Sequence, residues 1–90
     1  MVERRVVVRN KNGLHARPSS VLAEAALRFT DTELTLRRDE TEVDAKSIME
    51  LLLLAAGPGT ELTLIASGPS ATEAVEALAD LFGREFDLDL

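Results

Sequence analysis

The chain has no cysteine, no tryptophan and no tyrosine, and its only aromatic residues are three phenylalanines. Without cysteine there is no disulfide, no thiolate nucleophile and no thiolate-bound metal, which suits a reducing compartment. Histidine occurs once, so a site of three or four ligands would have to be built almost wholly from carboxylates; neither a metal nor a cofactor is expected. So few rings leave few platforms for base stacking. Basic residues are scarce in the second half: residues 47–90 hold one against eight acidic groups, net −7, whereas residues 1–46 hold nine against eight. Affinity for a phosphate backbone comes from clustered Lys and Arg, so nucleic acid is not an expected partner. The longest unbroken apolar run, Leu51 to Ala56, is too short to span a bilayer, and the opening M-V-E-R-R-V-V-V-R lacks the apolar stretch of a signal peptide. The expectation is a cytoplasmic protein with no membrane insertion.

What is present suffices for one domain over residues 1–90, because ninety residues with 46% apolar content can bury a single modest core. Val2 to Arg9 reads as a strand, with Val6 and Val8 on one face and Arg5, Val7 and Arg9 on the other. After the Asn12-Gly13 turn signal, helical spacing over 16–29 places Leu22, Ala25, Ala26 and Phe29 on one face. T-E-L-T-L at 32–36 predicts a strand with Leu34 and Leu36 inward; a polar turn at 38–40 and a partner strand at 41–45 complete a hairpin. A second helix is predicted from Ser47 to Ala56, stopped by Gly57-Pro58-Gly59. T-E-L-T-L then recurs at 60–64, read as a second strand of like alternation, not a duplicated unit. Beyond Ser67-Gly68-Pro69 a last helix carries the stripe Ala71, Ala74, Val75, Leu78, Leu81 and Phe82. The order βαββαβα with in-out alternation implies a two-layer α+β domain: one antiparallel sheet, helices on one face and solvent on the other. Two of the helix starts, Ser47-x-x-Glu50 and Ser70-x-x-Glu73, are capping boxes in which the serine accepts from the amide three residues on.

The first helix begins differently, with N-G-L-H-A-R-P-S-S at 12–20. Proline is tolerated only in a first turn, where its missing N–H would have had no intrahelical partner. Pro18 therefore sets His15, Ala16 and Arg17 at the mouth of the helix. Free amides and roughly half a positive charge gather there, a place that welcomes an anion. Arg17 adds a planar fork of donors suited to phosphate oxygens. A neutral imidazole facing such an anion hole can accept a phosphoryl group and give it away. The spacing alone equally allows His15 as a loop residue and Arg17 as a surface charge. A hydrolase recruiting Ser19 or Ser20 lacks any nucleophile elbow or oxyanion hole. Gly57-Pro58-Gly59 is no phosphate loop, since a strand follows it.

G-L-H-A-R-P, Gly13 to Pro18, resembles the active-site signature of the HPr family, the histidine-containing phosphocarrier proteins of the phosphoenolpyruvate-dependent sugar phosphotransferase system. K-S-I-M at 46–49 is similar to that family's regulatory-serine segment, and the run Gly57 to Gly68 fits its last strand. The likeness covers nearly the whole chain.

The resemblance implies an open-faced sandwich with sheet order 1-4-2-3 and three helices on one face. It implies a stoichiometric carrier and not an enzyme. Enzyme I would charge His15 at Nδ1, and the group would pass to the EIIA domain of a sugar permease. Arg17 would be the active-site arginine, and Ala16 and Pro18 the supporting helix start. The partner surface would gather around the first two helices, where Ile48, Met49, Leu52 and Leu53 leave apolar area to spare, and the carrier is expected to be a monomer. Ser47 would be the target of an HPr kinase/phosphorylase, creating a docking face for a transcriptional regulator. Glu50 stands where regulated members commonly carry glycine, and its carboxylate would repel a phosphate at Ser47. The F-D-L-D-L tail, Phe86 to Leu90, maps onto nothing in the family. The alternative is a regulatory paralogue that signals carbon or nitrogen status without feeding a permease; a small-ligand-binding module with an inert histidine is the remote third.

Overall fold

The structure, a computed structural model, describes residues 1–88. Its elements are β1 (Val2–Val7), α1 (Ala16–Leu27), β2 (Glu33–Arg38), β3 (Thr41–Asp44), α2 (Ile48–Leu53), β4 (Glu61–Ser67) and α3 (Ala71–Gly83), followed by a 3-10 turn at Glu85–Asp87. The strands form one antiparallel sheet in the order β1-β4-β2-β3, the topology that the family resemblance implies. The two T-E-L-T-L copies lie in adjacent strands, with Leu36 opposite Leu64 and Leu34 opposite Ala66.

The period-two alternation decides which face is dry. Val6, Val8, Leu34, Leu36, Leu62, Leu64 and Ala66 are buried, while Arg5 and Val7 are exposed and Thr35, Thr63 and Ile65 half-buried. The stripe of α3 is buried at all six of its positions. On α1, Leu22 and Ala26 are buried and Ala25 is packed partly against the core, as is Phe29 just beyond the helix. α3 lies over β1 and β4, α2 touches β3, and α1 packs on both other helices.

Several boundaries differ from the sequence expectation, and at the ends of α1 and α2 side chains from other elements are involved. α2 ends at Leu53, short of Ala56. Arg38, reaching from β2, donates to the carbonyls of Leu54 at 2.9 Å and Ala55 at 3.0 Å, and Ala55 takes φ +49°. A guanidinium supplied from the sheet satisfies carbonyls that another helical turn would have used. α1 stops at Leu27, and just beyond it the ammonium of Lys46 donates to the carbonyls of Phe29 at 2.7 Å and Thr32 at 2.8 Å, which fastens the connection into β2. The lysine of K-S-I-M is thus a structural cation. β1 closes at Val7, although Val8 still donates to Thr60 O at 2.9 Å.

The two capping boxes part company. Ser47 Oγ accepts from the amide of Glu50 at 3.2 Å, as expected, but the Glu50 carboxylate accepts from the amide of Asp44 at 2.9 Å instead of reaching back to Ser47. Ser70 makes no cap hydrogen bond at all. Its hydroxyl donates to Asp31 Oδ2 at 3.3 Å, and its amide donates to Thr32 Oγ1 at 3.0 Å. The expected box is absent because Asp31 and Thr32, at the start of β2, compete successfully for both groups.

Beyond α3 the chain folds back on the core. Glu85, Phe86 and Asp87 take φ of +53°, +58° and +57°, a left-handed run that costs side-chain-bearing residues about 1–2 kcal/mol each. Burial of the Phe86 ring offsets part of this. It stands edge-on to Phe82 at 4.8 Å between centroids. The tail therefore joins the core through Phe86, with Leu88 partly buried against it; its last two residues, Asp89 and Leu90, lie outside the described residues.

Ser47→Ala is expected to lose about 1 kcal/mol with its cap, and Ser70→Ala less than half as much. Urea unfolding of the two variants side by side checks the contrast; equal losses would restore the second box.

Candidate functional site at the mouth of the first helix

The loop from Arg9 to Leu14 is held from both sides. Gly13 donates to Asn10 O at 2.9 Å, and Leu14 donates to Ala56 O at 2.8 Å. Gly13 has φ +75°, and a Cβ there would stand 2.5 Å from Ala56 O and 2.9 Å from the Cα of Gly57. Only glycine allows the two loops to come this close.

That approach delivers His15 to the N-cap of α1, with φ −85° and ψ −165°. Its carbonyl accepts from the amide of Ser19 at 3.0 Å, the first intrahelical bond. Pro18 is buried in the first turn, as its chemistry requires. The amides of Ala16 and Arg17, lying in that same turn, have no carbonyl to pair with inside the helix. Ser19 is fully buried and donates through Oγ to Leu14 O at 3.3 Å. It braces the helix start and is not placed as a nucleophile; Ser20 is half-buried.

The imidazole is half-buried, and its two nitrogens differ. Nε2 is sealed from solvent with no hydrogen-bond partner among the described residues, whereas Nδ1 is not so enclosed. Leaving a buried polar atom unpaired costs about 1–3 kcal/mol, an arrangement seen where a group is held for its chemistry. Attack through Nδ1 requires the ring proton to sit on Nε2, the enclosed nitrogen.

The imidazole borders a depression of about 270 Å³ lined by Asn12, Leu14, His15, Leu52, Ala55, Ala56 and Gly57. Arg17 is exposed and makes no hydrogen bond or ion pair among the described residues; Ala16 is exposed beside it. The guanidinium is thus not tied to the imidazole, and its five donors are available to an arriving anion. Leu52, 40% exposed, joins the depression to the outer face of α2, where Ile48, Met49 and Leu53 are 41%, 77% and 74% exposed. Ser47, half-buried, caps the far end of that helix from the depression. His15 and the apolar face are therefore one continuous surface.

The sequence reading missed Asn10, Asn12 and the Ala55–Gly57 wall. The Asn12-Gly13 pair was legible as a turn, but nothing local links residue 13 to residue 56.

These features define a small α+β domain that presents one histidine at a helix mouth beside an unpaired arginine. A family model described as the PTS HPr component phosphorylation site matches residues 2–84. Phosphocarrier protein HPr of Treponema pallidum is 44% identical, over 97% of this chain and 98% of that protein. Phosphocarrier protein NPr of Escherichia coli K12 is 42% identical over 98% of both. Among solved structures, HPr-C-His from Thermoanaerobacter tengcongensis superposes with a TM-score of 0.93 at 36% identity, covering 100% of both chains. Crh of Bacillus subtilis, a catabolite repression protein described as an intertwined dimer with a swapped domain, gives a TM-score of 0.75 at 47% identity, over 94% of this chain and 97% of that one. The chain belongs to the HPr family of phosphotransferase-system phosphocarriers.

Gly13→Ala is expected to destabilise the fold by about 2 kcal/mol or more, from left-handed backbone and the collision with Ala56 O. Chemical denaturation would register it, and an Ala variant of wild-type stability would mean that the two loops are free to separate.

Proposed function

We propose that the chain accepts a phosphoryl group from phospho-enzyme I on Nδ1 of His15 and passes it to the EIIA domain of a sugar permease. The observation that supports this is the placement of His15 as the N-cap of α1 with its Nε2 enclosed and unpartnered among the described residues, which leaves Nδ1 as the nitrogen for the chemistry. The lone pair attacks phosphorus, the P–N bond forms as the bond to the donor breaks, and the proton stays on Nε2. The free amides of Ala16 and Arg17 and the Arg17 guanidinium face the equatorial oxygens, where charge is stabilised without side-chain rearrangement. Discharge to the acceptor reverses these steps. The chain itself is regenerated only by a second partner, which makes it a carrier and not an enzyme.

Partners would dock on the apolar face of α2 around Ile48, Met49, Leu52 and Leu53, the exposed hydrophobic residues adjoining the site. A cytoplasmic monomer fits this role, since the docking face must stay free. Phosphorylation of Ser47 by an HPr kinase/phosphorylase would add charge beside Glu50, whose carboxylate accepts from Asp44 N. That placement turns part of the Glu50 charge toward β3 and eases the repulsion. A transcriptional regulator would then read the modified end of α2. The regulatory-paralogue reading, signalling carbon or nitrogen status, draws support from the likeness to Crh.

Incubation with enzyme I and labelled phosphoenolpyruvate tests the proposal. The wild-type chain should take up acid-labile label and His15→Ala none, while Arg17→Lys should be labelled more slowly with an unchanged unfolding midpoint. Label retained by His15→Ala would overturn it. In the same assay Met49→Glu and Leu53→Glu should move stability by no more than about 0.5 kcal/mol. The enzyme I concentration needed for half-maximal transfer should nevertheless rise severalfold; an unchanged value would exclude the α2 face from docking.

A further inference from the structure

Asn10 is 2% exposed, and the two ends of its side-chain amide fare differently. Nδ2 donates to the carbonyl of Glu85 at 2.9 Å, across 75 positions of chain, while Oδ1 is buried with no partner among the described residues. An apolar side chain of the same volume would avoid the orphaned oxygen, so stability alone does not favour asparagine here. The bond instead specifies a position, joining the loop that carries His15 to the chain end beyond α3.

We propose that Asn10 and Phe86 are positioning residues for phosphoryl transfer, and that the turn after α3 is a brace fixing the loop that presents His15. The inference rests on His15 being the phosphoryl acceptor. From the brace to the imidazole every step is bonded. Asn10 O accepts from Gly13, Leu14 donates to Ala56 O, and Leu14 O accepts the Ser19 hydroxyl inside the first turn of α1. On the other side, Phe86 is buried edge-on to Phe82, and the turn also packs against α1. The tail thus touches both the loop before His15 and the helix after it.

The backbone of the brace is strained in a way that only its surroundings explain. Three successive side-chain-bearing residues are left-handed. They are held by the Asn10 amide, by the Phe86 ring and by Arg84, which reaches Asp87 at 3.1 Å and also pairs with Asp80. Strain of this kind persists where contacts over-determine it, and it gathers at functional segments. Loss of the brace would let the imidazole drift, and misplacement by about 1 Å is enough to slow a positioned reaction by one to two orders of magnitude.

The test uses Asn10→Leu, which keeps the volume and removes both the donor and the orphaned acceptor. Phe86→Leu, which keeps an apolar side chain but loses the ring contact, is the second variant. Two readouts are taken on the whole chain: amide hydrogen exchange, and transfer from enzyme I and phosphoenolpyruvate over a range of carrier concentrations. The expected result is exchange at Gly13 and Leu14 at least about tenfold faster than in the wild type, with Leu62 and Leu64 in β4 unchanged. The maximal transfer rate falls about tenfold, while the half-saturating concentration stays put because the α2 face is intact. Wild-type exchange at Gly13 and Leu14, uniform acceleration that includes β4, or local loosening with a wild-type transfer rate would each overturn the brace. If the wild-type chain takes up no label, it is the assignment of His15 as acceptor that fails; the exchange pattern still shows whether Asn10 anchors the loop.

Discussion

The close approach of Gly13 to the backbone of Ala56 and Gly57 governs where the imidazole can stand. Two loops that are remote in sequence, one leaving β1 and one leading into β4, meet without a side chain between them, and the Leu14–Ala56 hydrogen bond locks them together. His15 follows at once as the N-cap of α1, so its orientation is inherited from β1, from β4 and from the first helical turn together. A histidine on a free loop would sample many orientations. Here the ring has its Nε2 enclosed.

That arrangement suits a group that must be charged and discharged by different partners. The anion-binding capacity comes from backbone amides and helix polarity, which need no rearrangement when a phosphoryl group arrives. Arg17 is exposed and unpaired among the described residues. The neighbouring face of α2 is apolar where most of the second half of the chain is acidic, and it reaches the imidazole through Leu52. Chemistry and docking thus occupy one surface, whereas the sheet's open face carries ordinary exposed pairs such as Arg5 with Glu61 at 3.6 Å.

A few polar and charged side chains in this fold work as fasteners between elements. Lys46 holds two carbonyls just beyond the end of α1, and Arg38 two just beyond the end of α2. Asp31 and Thr32 claim Ser70, and Glu50 secures Asp44. Each is a contact between the ends of elements or the loops beside them. The short helices therefore have their lengths set from outside, which keeps the apolar face of α2 brief and its Ser47 cap near β3.

The sequence by itself determined the class of fold, the inward face of each strand, the stripe of α3 and the place of His15, because periodicity and proline chemistry act within a few residues. Leu34 and Leu36, the six buried positions of α3, and Pro18 in its first turn were all readable that way. Family likeness supplied the sheet order, which alternation alone leaves open. Only the tertiary structure decided where α1 and α2 stop, which serine caps its helix, and which ring nitrogen is enclosed. It also turned Phe86 from an unassigned tail residue into part of the core. The reason is common to all of these. A lysine, an arginine or an asparagine has the same local signature whether it faces water or a carbonyl 75 residues away, and only the folded chain brings donor and acceptor within 3 Å.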